Sequence, residues 1–304
     1  MMNIAIFGGT GFIGKRVVKN LIENNYFVKV ISRSFSKSDI KPSENIQYIT
    51  ADIAHLENHH NVFQDVDTIV YLITTTTPKS SFDDPLYDIE TNLISFIKLL
   101  KLCKDYPIKR FIFASSGGTV YGLPKYNPID EEHPTNPFVS YGIVKLAMEK
   151  YLLSYANLYG FKPTIMRISN PYGEGQKSQG SQGVIRSFIN NICIDQPIEI
   201  WGDGLAKRDF LHVEDVANAF VKALEYKGDE VIFNISSGQE TSINNIIEIL
   251  RDVVHKDFIV NYNEARFFDV KINVLSAQKA EKKLHWKTSI DLQTGIKRMY
   301  DHYS

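Results

Sequence analysis

The sequence predicts an α/β fold, in which a doubly wound parallel sheet is joined to a smaller, loop-rich α/β lobe. Apolar, β-branched runs alternate with segments of helical periodicity through the first half of the 304 residues, which is typical of a parallel sheet covered on both faces. After Asn170 this regularity ends, and six glycines fall between residues 173 and 204. We therefore expect a first lobe over 1–170 with a return at about 208–240, and a second lobe over 171–207 and 241–304.

Each element follows from its local pattern. Strands are predicted where β-branched and aromatic residues cluster, at 3–7, 27–31, 46–49, 68–73, 110–114, 163–168 and 231–235. Helices are predicted where apolar residues recur every three or four positions, at 11–24, 88–104, 140–159, 184–192, 215–226, 242–254, 276–284 and 291–302. The first three helices are long enough to connect parallel strands, so right-handed βαβ winding is the expected topology.

The composition excludes several classes of protein. Lys and Arg number 34 against 35 Asp and Glu, so we expect no nucleic-acid partner, which would need a basic face. No stretch approaches the roughly 18 apolar residues of a membrane span, and no signal sequence is recognisable, so we expect a cytoplasmic protein without a membrane partner. Cys103 and Cys193 are far apart and His59-His60 sits among Asn and Glu, so no metal site is expected.

A glycine motif follows the first predicted strand. Gly8, Gly11 and Gly14 stand at three-residue intervals, and Phe12 and Ile13 lie where a helix is expected to begin. Glycines permit a tight turn and a close approach of the backbone, and the helix N-terminus offers free N–H groups to a pyrophosphate. The motif therefore predicts a Rossmann-type dinucleotide-binding domain.

The end of the second strand bears on the choice between NAD and NADP. NAD-binding domains usually carry an acid there for the adenosine 2′-hydroxyl, and residues 28–34 contain none. Arg33 either pairs with a 2′-phosphate, which favours NADP, or stacks on the adenine of either cofactor, or lies on the surface. After the third strand, Asp52 and Ile53 stand where a carboxylate accepts the adenine amino group, although Asp52 suits a helix cap equally well.

Tyr141 and Lys145 are four residues apart and therefore lie on one face of a helix. A nearby ammonium lowers the pKa of a phenol, which a tyrosine needs in order to act as a general base near neutral pH. Upstream, the fifth strand ends in Ser115 and Ser116, followed by a turn that contains Thr119. These hydroxyls lie at the sheet edge where the cofactor crevice is expected, so the features together predict a proton-handling site.

Taken together, the motifs resemble the extended short-chain dehydrogenase/reductases, most closely the UDP-sugar 4-epimerases. The resemblance runs from residue 3 to about residue 300. It rests on the glycine motif, Ser-Ser-Gly-Gly-Thr-Val-Tyr-Gly at 115–122, Tyr-x-x-x-Lys at 141–145, Arg167 with Asn170-Pro171-Tyr172-Gly173, Arg208-Asp209-Phe210 and Arg266-x-x-Asp269.

The resemblance implies a role for each residue of the proton-handling site. Tyr141 would remove the proton from a sugar 4-hydroxyl while hydride passes to NAD, and Lys145 would hold the nicotinamide ribose. A serine of the turn would share the hydrogen bond of that proton. The turn carries one extra glycine, so the matching serine depends on the end from which residues are counted. We choose Ser116, with Ser115 and Thr119 as the alternatives. Ser115 and Thr119 are also expected to contact the substrate.

The run after the fourth strand departs from the family pattern. Relatives usually have His-Leu-Ala-Ala there, whereas this chain has Leu72, Ile73 and four threonines at 74–77. Leu72 is expected to contact the cofactor, and the threonines either line the nicotinamide pocket or form an ordinary loop. Asn92, on the next helix, matches a residue that braces the active-site strand in relatives.

The second lobe is expected to bind a nucleotide-sugar. Arginine suits bidentate contacts to a pyrophosphate, and Arg208 and Arg266 stand at the matching positions of the family. The resemblance implies that Asp269 accepts a ribose hydroxyl and that Asn170 reaches the diphosphate or the sugar. Surface salt bridges are the competing interpretation of Arg208, Arg266 and Asp269.

Several reactions share this scaffold. A 4,6-dehydratase needs an Asp-Glu pair after the turn hydroxyl, and Gly118 and Thr119 occupy those places, so dehydration is disfavoured. We expect a nucleotide-sugar 4-epimerase that retains NAD and acts on a UDP-hexose. An NADPH-dependent reductase of nucleotide-4-keto-6-deoxysugars is the alternative, which Arg33 favours, and a catalytically silent dinucleotide-binding protein is a third. The resemblance also implies a homodimer through helices 88–104 and 140–159 and a place in surface-polysaccharide biosynthesis.

Overall fold

The computed structural model describes residues 2–36, 43–177, 183–264 and 270–304. The strands of these residues are β1 (Asn3–Phe7), β2 (Phe27–Ser32), β3 (Ile46–Thr50), β4 (Thr68–Tyr71), β5 (Arg110–Ser116), β6 (Lys162–Ile168), β7 (Asn170–Tyr172), β8 (Ile198–Trp201), β9 (Lys207–Arg208), β10 (Phe210–His212), β11 (Ile232–Ile235), β12 (Thr241–Ser242), β13 (Val260–Asn263) and β14 (Ile272–Asn273). The α-helices are α1 (Phe12–Glu23), α2 (Pro78–Asp83), α3 (Pro85–Asp88), α4 (Ser95–Cys103), α5 (Ser140–Tyr159), α6 (Val184–Cys193), α7 (Val213–Glu225), α8 (Ile243–Val253) and α9 (Leu292–Tyr303).

Seven strands form the central sheet, in the order β3-β2-β1-β4-β5-β6-β11. Every neighbouring pair is parallel. The order reverses between β1 and β4, and ligands of such sheets bind in the crevice at the carboxyl ends of the strands beside this reversal. The predicted doubly wound parallel sheet is therefore confirmed.

Alternate residues of β1 show how the sheet is covered. Ile4 and Ile6 pack into a core with residues of α1 and α7, whereas Ala5 and Phe7 pack into a second core with residues of α4 and α5. Successive strand side chains point to opposite faces, so helices on both faces bury the whole strand. This explains why the strands read as continuous apolar runs.

The predicted helix over 88–104 is wrong at its beginning. The helical stretch starts earlier with α3, passes through a π-helical turn at Ile89–Ile94 and continues as α4. The sequence analysis also missed α2, because the threonine run before it was taken for strand and loop. Thr77 caps α2 by accepting from the Ser80 backbone N–H, and Pro78 occupies the first turn, where a missing N–H costs nothing.

A third core is formed mainly by residues predicted for the second lobe. Apolar residues of α6, α8 and α9 pack there with Ile198 and Ile200 of β8. Trp286 lies instead in the first core, where its indole N–H donates to the Asp215 carbonyl oxygen at 3.0 Å. None of the helices formed by the described residues combines the length and apolarity needed to cross a lipid bilayer.

Candidate active site

The glycine motif forms a tight turn from β1 into α1. Gly8 has a φ of +87°, which L side chains rarely adopt, and a Cβ on Gly14 would lie 2.1 Å from the Gly8 carbonyl oxygen. Gly11 is the N-cap of α1 and provides no side-chain cap, so the first N–H groups of the helix have no side-chain acceptor there. Phe12 and Ile13 are half-buried in the first turn. This uncapped N-terminus suits a pyrophosphate, so the residues present fit a dinucleotide.

The residues predicted for the adenosine end lie at the same sheet edge. Arg33 follows β2 directly and is exposed, and the Thr10 hydroxyl lies 3.1 Å from the Ser32 hydroxyl at the end of that strand. Asp52 is the N-cap of a 3₁₀ helix, and its Oδ1 accepts from the Ala54 N–H at 3.0 Å. The helix-capping interpretation of Asp52 is therefore confirmed. Ile53 is buried in the core beside it.

Tyr141 and Lys145 occupy the first turns of α5 and face the ends of β4 and β5. The Tyr141 backbone N–H donates to Ser81 Oγ at 3.0 Å, so a serine of α2 supplies a partner that the α5 N-cap lacks. Lys145 is buried, and its Nζ donates to the Ala114 carbonyl oxygen at 3.1 Å and lies 5.8 Å from the centre of the Tyr141 ring. The predicted juxtaposition of phenol and ammonium is present.

Burial shifts the pKa values of Tyr141 and Lys145 in opposite directions. Burial raises the pKa of Tyr141 to about 12, with a hydrogen bond from Thr74 lowering it and the charge of Asp88 raising it further. Burial lowers the pKa of Lys145 to about 8, although Asp88 and Glu149 oppose the shift. The Tyr141 pKa is therefore raised rather than lowered, contrary to the expectation from its spacing to Lys145, because desolvation of the phenolate is the largest cause of the shift. The phenol carries its proton at neutral pH.

The three candidate hydroxyls after β5 have different surroundings. The buried Ser115 hydroxyl donates to Glu149 Oε1 at 2.5 Å. The Ser115 proton is therefore engaged inside the protein, and the predicted contact of Ser115 with the substrate stays a prediction. Ser116 is half-buried at the last position of β5. Thr119 Oγ1 is buried and has no hydrogen-bond partner among the described residues.

A buried ion pair supports this wall of the site. Arg167 of β6 donates from Nε to Glu149 Oε1 at 3.1 Å and from Nη2 to Oε2 at 2.7 Å. Their side chains are 3% and 1% exposed. Burial lowers the pKa of Arg167, but its hydrogen bond to Glu149 and the charge of that residue outweigh the effect and raise it. Sequence reasoning missed Glu149 of α5, since nothing in the local pattern shows that it contacts Arg167 of β6.

The threonine run after β4 and the helix of Asn92 form the opposite wall. Leu72 is half-buried at the end of β4, and Thr76 is buried. Asn92 Oδ1 accepts from the Thr75 N–H at 3.0 Å, and its Nδ2 donates to the Thr75 hydroxyl at 2.8 Å. Asn92 therefore holds the threonine run in place, and its predicted bracing of the active-site strand stays a prediction.

The substrate residues of the second lobe are only partly described. Arg266 and Asp269 lie outside the described residues. Arg208 Nη1 donates to the carbonyl oxygens of Lys207 at 2.9 Å and Val270 at 2.7 Å, so this guanidinium holds backbone in the second lobe. Asn170 begins β7 and donates from Nδ2 to the Asp209 carbonyl oxygen at 2.8 Å. The described residues contain no group of three His, Cys, Asp or Glu side chains arranged to hold a metal ion.

This fold and site define a class of proteins. Residues 4–236 match the model of the NAD dependent epimerase/dehydratase family, and the chain belongs to that family.

The chain is also similar, along nearly its whole length, to two curated relatives and to one solved structure. The chain is 39% identical to a putative UDP-glucose 4-epimerase of Methanocaldococcus jannaschii, over 97% of this chain and 96% of the relative. It is 32% identical to a dTDP-4-dehydro-6-deoxyglucose reductase of Escherichia coli, over 97% and 96% of the two chains. The crystal structure of UDP-glucose 4-epimerase with UDP-glucose from Thermotoga maritima superposes with a TM-score of 0.91 at 33% identity, covering 99% of this chain and 98% of that one.

Proposed function

We propose that the chain is a nucleotide-sugar 4-epimerase that acts on a UDP-hexose and retains NAD through its cycle. One observation carries the proposal: Tyr141 and Lys145 meet at the carboxyl edge of the sheet, beside the glycine-lined turn. Gly118 and Thr119 occupy the places where a dehydratase has its Asp-Glu pair, so the turn supplies no second acid or base. An epimerase needs only one group that takes up and returns a proton, so this neutral pair suits it.

We propose that the cofactor lies along the carboxyl edge. The N-terminal amides of α1, with Gly8, Gly11, Phe12, Ile13 and Gly14, hold the pyrophosphate. Arg33, Asp52 and Ile53 lie along the adenosine, and Leu72, Tyr141 and Lys145 line the nicotinamide end. When bound, NAD would supply reversible hydride transfer at the sugar carbon.

The chain's own residues move the proton. Tyr141 takes the proton of the sugar 4-hydroxyl as C4 becomes a ketone, and it gives that proton back when the opposite face is reduced. Lys145 holds a positive charge beside the phenol and the ribose. Ser116 shares a hydrogen bond with the oxygen at C4. The raised pKa of Tyr141 in the described state makes the phenol a proton donor, which the reduction half of the cycle requires.

The substrate assignments of the second lobe are also proposals. Asn170 and Thr119 face the sugar, Arg208 and Arg266 hold the diphosphate, and Asp269 holds the nucleotide ribose. We propose the lobe division 1–170 with 208–240 against 171–207 with 241–304, and the substrate would lie between these two parts. The orphaned Thr119 hydroxyl supports this placement, because a buried polar atom without a partner is costly until a ligand satisfies it.

Release of the cofactor tests the proposal. Purified protein is denatured, and the released dinucleotide is identified and quantified per chain. Near-stoichiometric NAD is expected, because an epimerase regenerates its cofactor on every cycle. An empty site that binds NADPH reversibly would favour the reductase, and bound dinucleotide without turnover of any nucleotide-sugar would favour a catalytically silent protein.

The reductase remains a second candidate on two observations. Arg33 is exposed at the end of β2, where no acid is present to hold an adenosine 2′-hydroxyl, and a relative of 32% identity carries the reductase name. In a reductase, the same Tyr141 donates a proton to the keto oxygen as hydride arrives from NADPH.

Arg33→Ala tests whether Arg33 contributes more to the binding of NADP than to the binding of NAD. If Arg33 pairs with a 2′-phosphate, the substitution weakens NADP binding by about 10- to 100-fold, as the loss of a charge-assisted hydrogen bond would, and changes NAD binding much less. Dissociation constants of both cofactors for apoprotein, measured by calorimetry, provide the comparison. Lys287→Ala, on the surface of the second lobe, is the matched control. Equal losses for both cofactors would assign Arg33 to adenine stacking or to the surface.

We also propose a homodimer through the outer faces of adjacent helices. Leu86 of α3 is 70% exposed, Ile94 of the π-helical turn 43%, and Ile143 and Leu158 of α5 52% and 69%. These apolar side chains form a face that a second copy of the chain would cover. From the family resemblance alone, we place the enzyme in the cytoplasm and its product in surface-polysaccharide biosynthesis.

A charge in that face is expected to separate the dimer. Ile143→Glu buries an unpaired carboxylate at the interface, so it shifts the protein from the mass of two chains to that of one in light scattering. Lys287→Glu, on the second lobe, leaves the dimer intact. A parent protein that is already monomeric, or an Ile143→Glu variant that stays dimeric, contradicts the proposed interface.

A further inference from the structure

We propose that the buried carboxylate of Asp88 positions Tyr141 for the reaction, by holding the first turn of α5 against the threonine run that follows β4. The inference rests on the proposed function, in which Tyr141 accepts and donates the transferred proton. Asp88 is a positioning residue, because it acts on Tyr141 through Ser140.

The first turn of α5 has no side-chain cap of its own. Val139 is the N-cap and makes no side-chain hydrogen bond to the helix, although the first N–H groups of a helix lack partners within it. The Tyr141 N–H donates instead to Ser81 Oγ at 3.0 Å, and Ser81 is fully buried in α2. The position of this turn therefore depends on side chains from another segment of the chain.

Asp88 makes the second contact between the two segments. Its Oδ2 accepts from the Ser140 hydroxyl at 2.9 Å, one residue before Tyr141. Its Oδ1 accepts from the Thr76 hydroxyl at 2.7 Å and from Asn92 Nδ2 at 2.9 Å. The Asp88 side chain is fully buried. The two oxygens of one carboxylate thus join the first turn of α5 to the threonine run.

A carboxylate suits this place for two reasons. All three partners donate to Asp88, and an ionised carboxylate offers only acceptors, so both of its oxygens are used without conflict. Its charge also lies at the N-terminal end of α5, where the helix dipole favours a negative group. Hydrogen bonds to an ionised acceptor are stronger than bonds between neutral groups. The bond from Ser140 is therefore stronger than a contact between two hydroxyls would be.

The other end of this bridge is fixed as well. Asn92, which donates to Asp88, also accepts from the Thr75 N–H at 3.0 Å. The threonine run begins two residues after Leu72, which the proposed function places at the nicotinamide end of the cofactor. Asp88 thereby sets the distance between Tyr141 and that wall of the site. A displacement of about 1 Å in a reacting group can lower a rate by about 100-fold, so this distance matters for proton transfer.

Ser140→Ala tests the inference with little disturbance of the fold. Asp88→Ala would leave three donors without their acceptor and endanger folding, whereas Ser140→Ala removes only the bond to α5. We expect kcat to fall by about 10- to 100-fold, the range of such a displacement. We expect KM to change by less than about twofold, because proton transfer rather than substrate binding is affected. Bound dinucleotide is expected to stay at the parental amount.

Two further serine variants are the controls. Ser140→Thr keeps the hydroxyl and is expected to restore most of kcat. Ser154→Ala, at an exposed position of the same helix, is expected to leave kcat unchanged. A parental kcat in Ser140→Ala, or an equal loss in Ser140→Thr, overturns the inference. A loss that lies in KM with kcat unchanged overturns it as well.

A second readout needs no substrate. Protein labelled with ¹³C at the tyrosine Cζ gives a Tyr141 signal that is identified by its absence in Tyr141→Phe. Ser140→Ala is expected to move this signal, because the phenol takes a new position, and Ser140→Thr and Ser154→Ala are expected to leave it near the parental value. If the parent turns over no nucleotide-sugar, the proposed function fails while this spectrum still tests the positioning. An unmoved signal in Ser140→Ala overturns the inference whatever the activity.

Discussion

Tyr141→Phe is expected to lower kcat by about 10²- to 10⁴-fold, the range that general acid–base catalysis supplies. The substitution removes only the phenolic oxygen. The ring is half-buried, and the backbone N–H that donates to Ser81 is unchanged, so the turn of α5 keeps its position. Bound dinucleotide is therefore expected to stay near the parental amount. Turnover of UDP-hexose and cofactor content are measured on the same preparation.

Tyr151→Phe is the matched control for that substitution. Tyr151 lies on the same helix but is exposed. Its loss is expected to leave kcat unchanged. Turnover of Tyr141→Phe within tenfold of the parent would remove Tyr141 from the proton transfer. A loss of cofactor together with activity would assign Tyr141 to binding rather than chemistry.

Glu149→Ala is expected to destabilise the protein by about 3–5 kcal/mol, because it leaves the buried Arg167 guanidinium without its counter-charge. Both hydrogen bonds of the bidentate pair and the Ser115 bond are lost at once. That is a large fraction of the roughly 5–15 kcal/mol by which whole domains are stable. The free energy of unfolding is measured by guanidinium denaturation monitored by circular dichroism.

The double variant Glu149→Leu with Arg167→Met is the control for the charge. Removing both partners leaves no unpaired buried charge, so we expect most of the lost stability to return. If the double variant is as unstable as Glu149→Ala, packing rather than charge explains the loss. If Glu149→Ala unfolds at the parental denaturant concentration, the buried pair does not support this wall of the site.

Local patterns predicted most of the central sheet. The six strands of the first half are present within a few residues of their predicted bounds, because a strand buried on both faces is an unbroken apolar run. The glycine turn was predictable for a steric reason, since a Cβ at Gly14 would overlap a backbone oxygen. Helix α5 begins and ends where predicted, and Gly160 ends it in the left-handed region.

The interior of the site was not predictable in the same way. Asp88 and Ser140 are 52 positions apart, and Ser81 and Tyr141 are 60 apart. No local pattern reports such contacts, so the Asp88 carboxylate, which accepts from the hydroxyls of Thr76 and Ser140, was missed. The direction of the Tyr141 pKa was missed for a related reason: the spacing to Lys145 is local, whereas the burial that raises the pKa comes from the assembled fold.

The most direct test of the account is interconversion without added cofactor. Purified protein is incubated with UDP-glucose and no nicotinamide nucleotide, and the anomeric proton signals are followed by NMR. The account predicts that UDP-galactose appears and that the same final ratio is reached from either sugar. No conversion from either direction, together with one NADPH consumed for each nucleotide-4-keto-6-deoxysugar reduced, would contradict it.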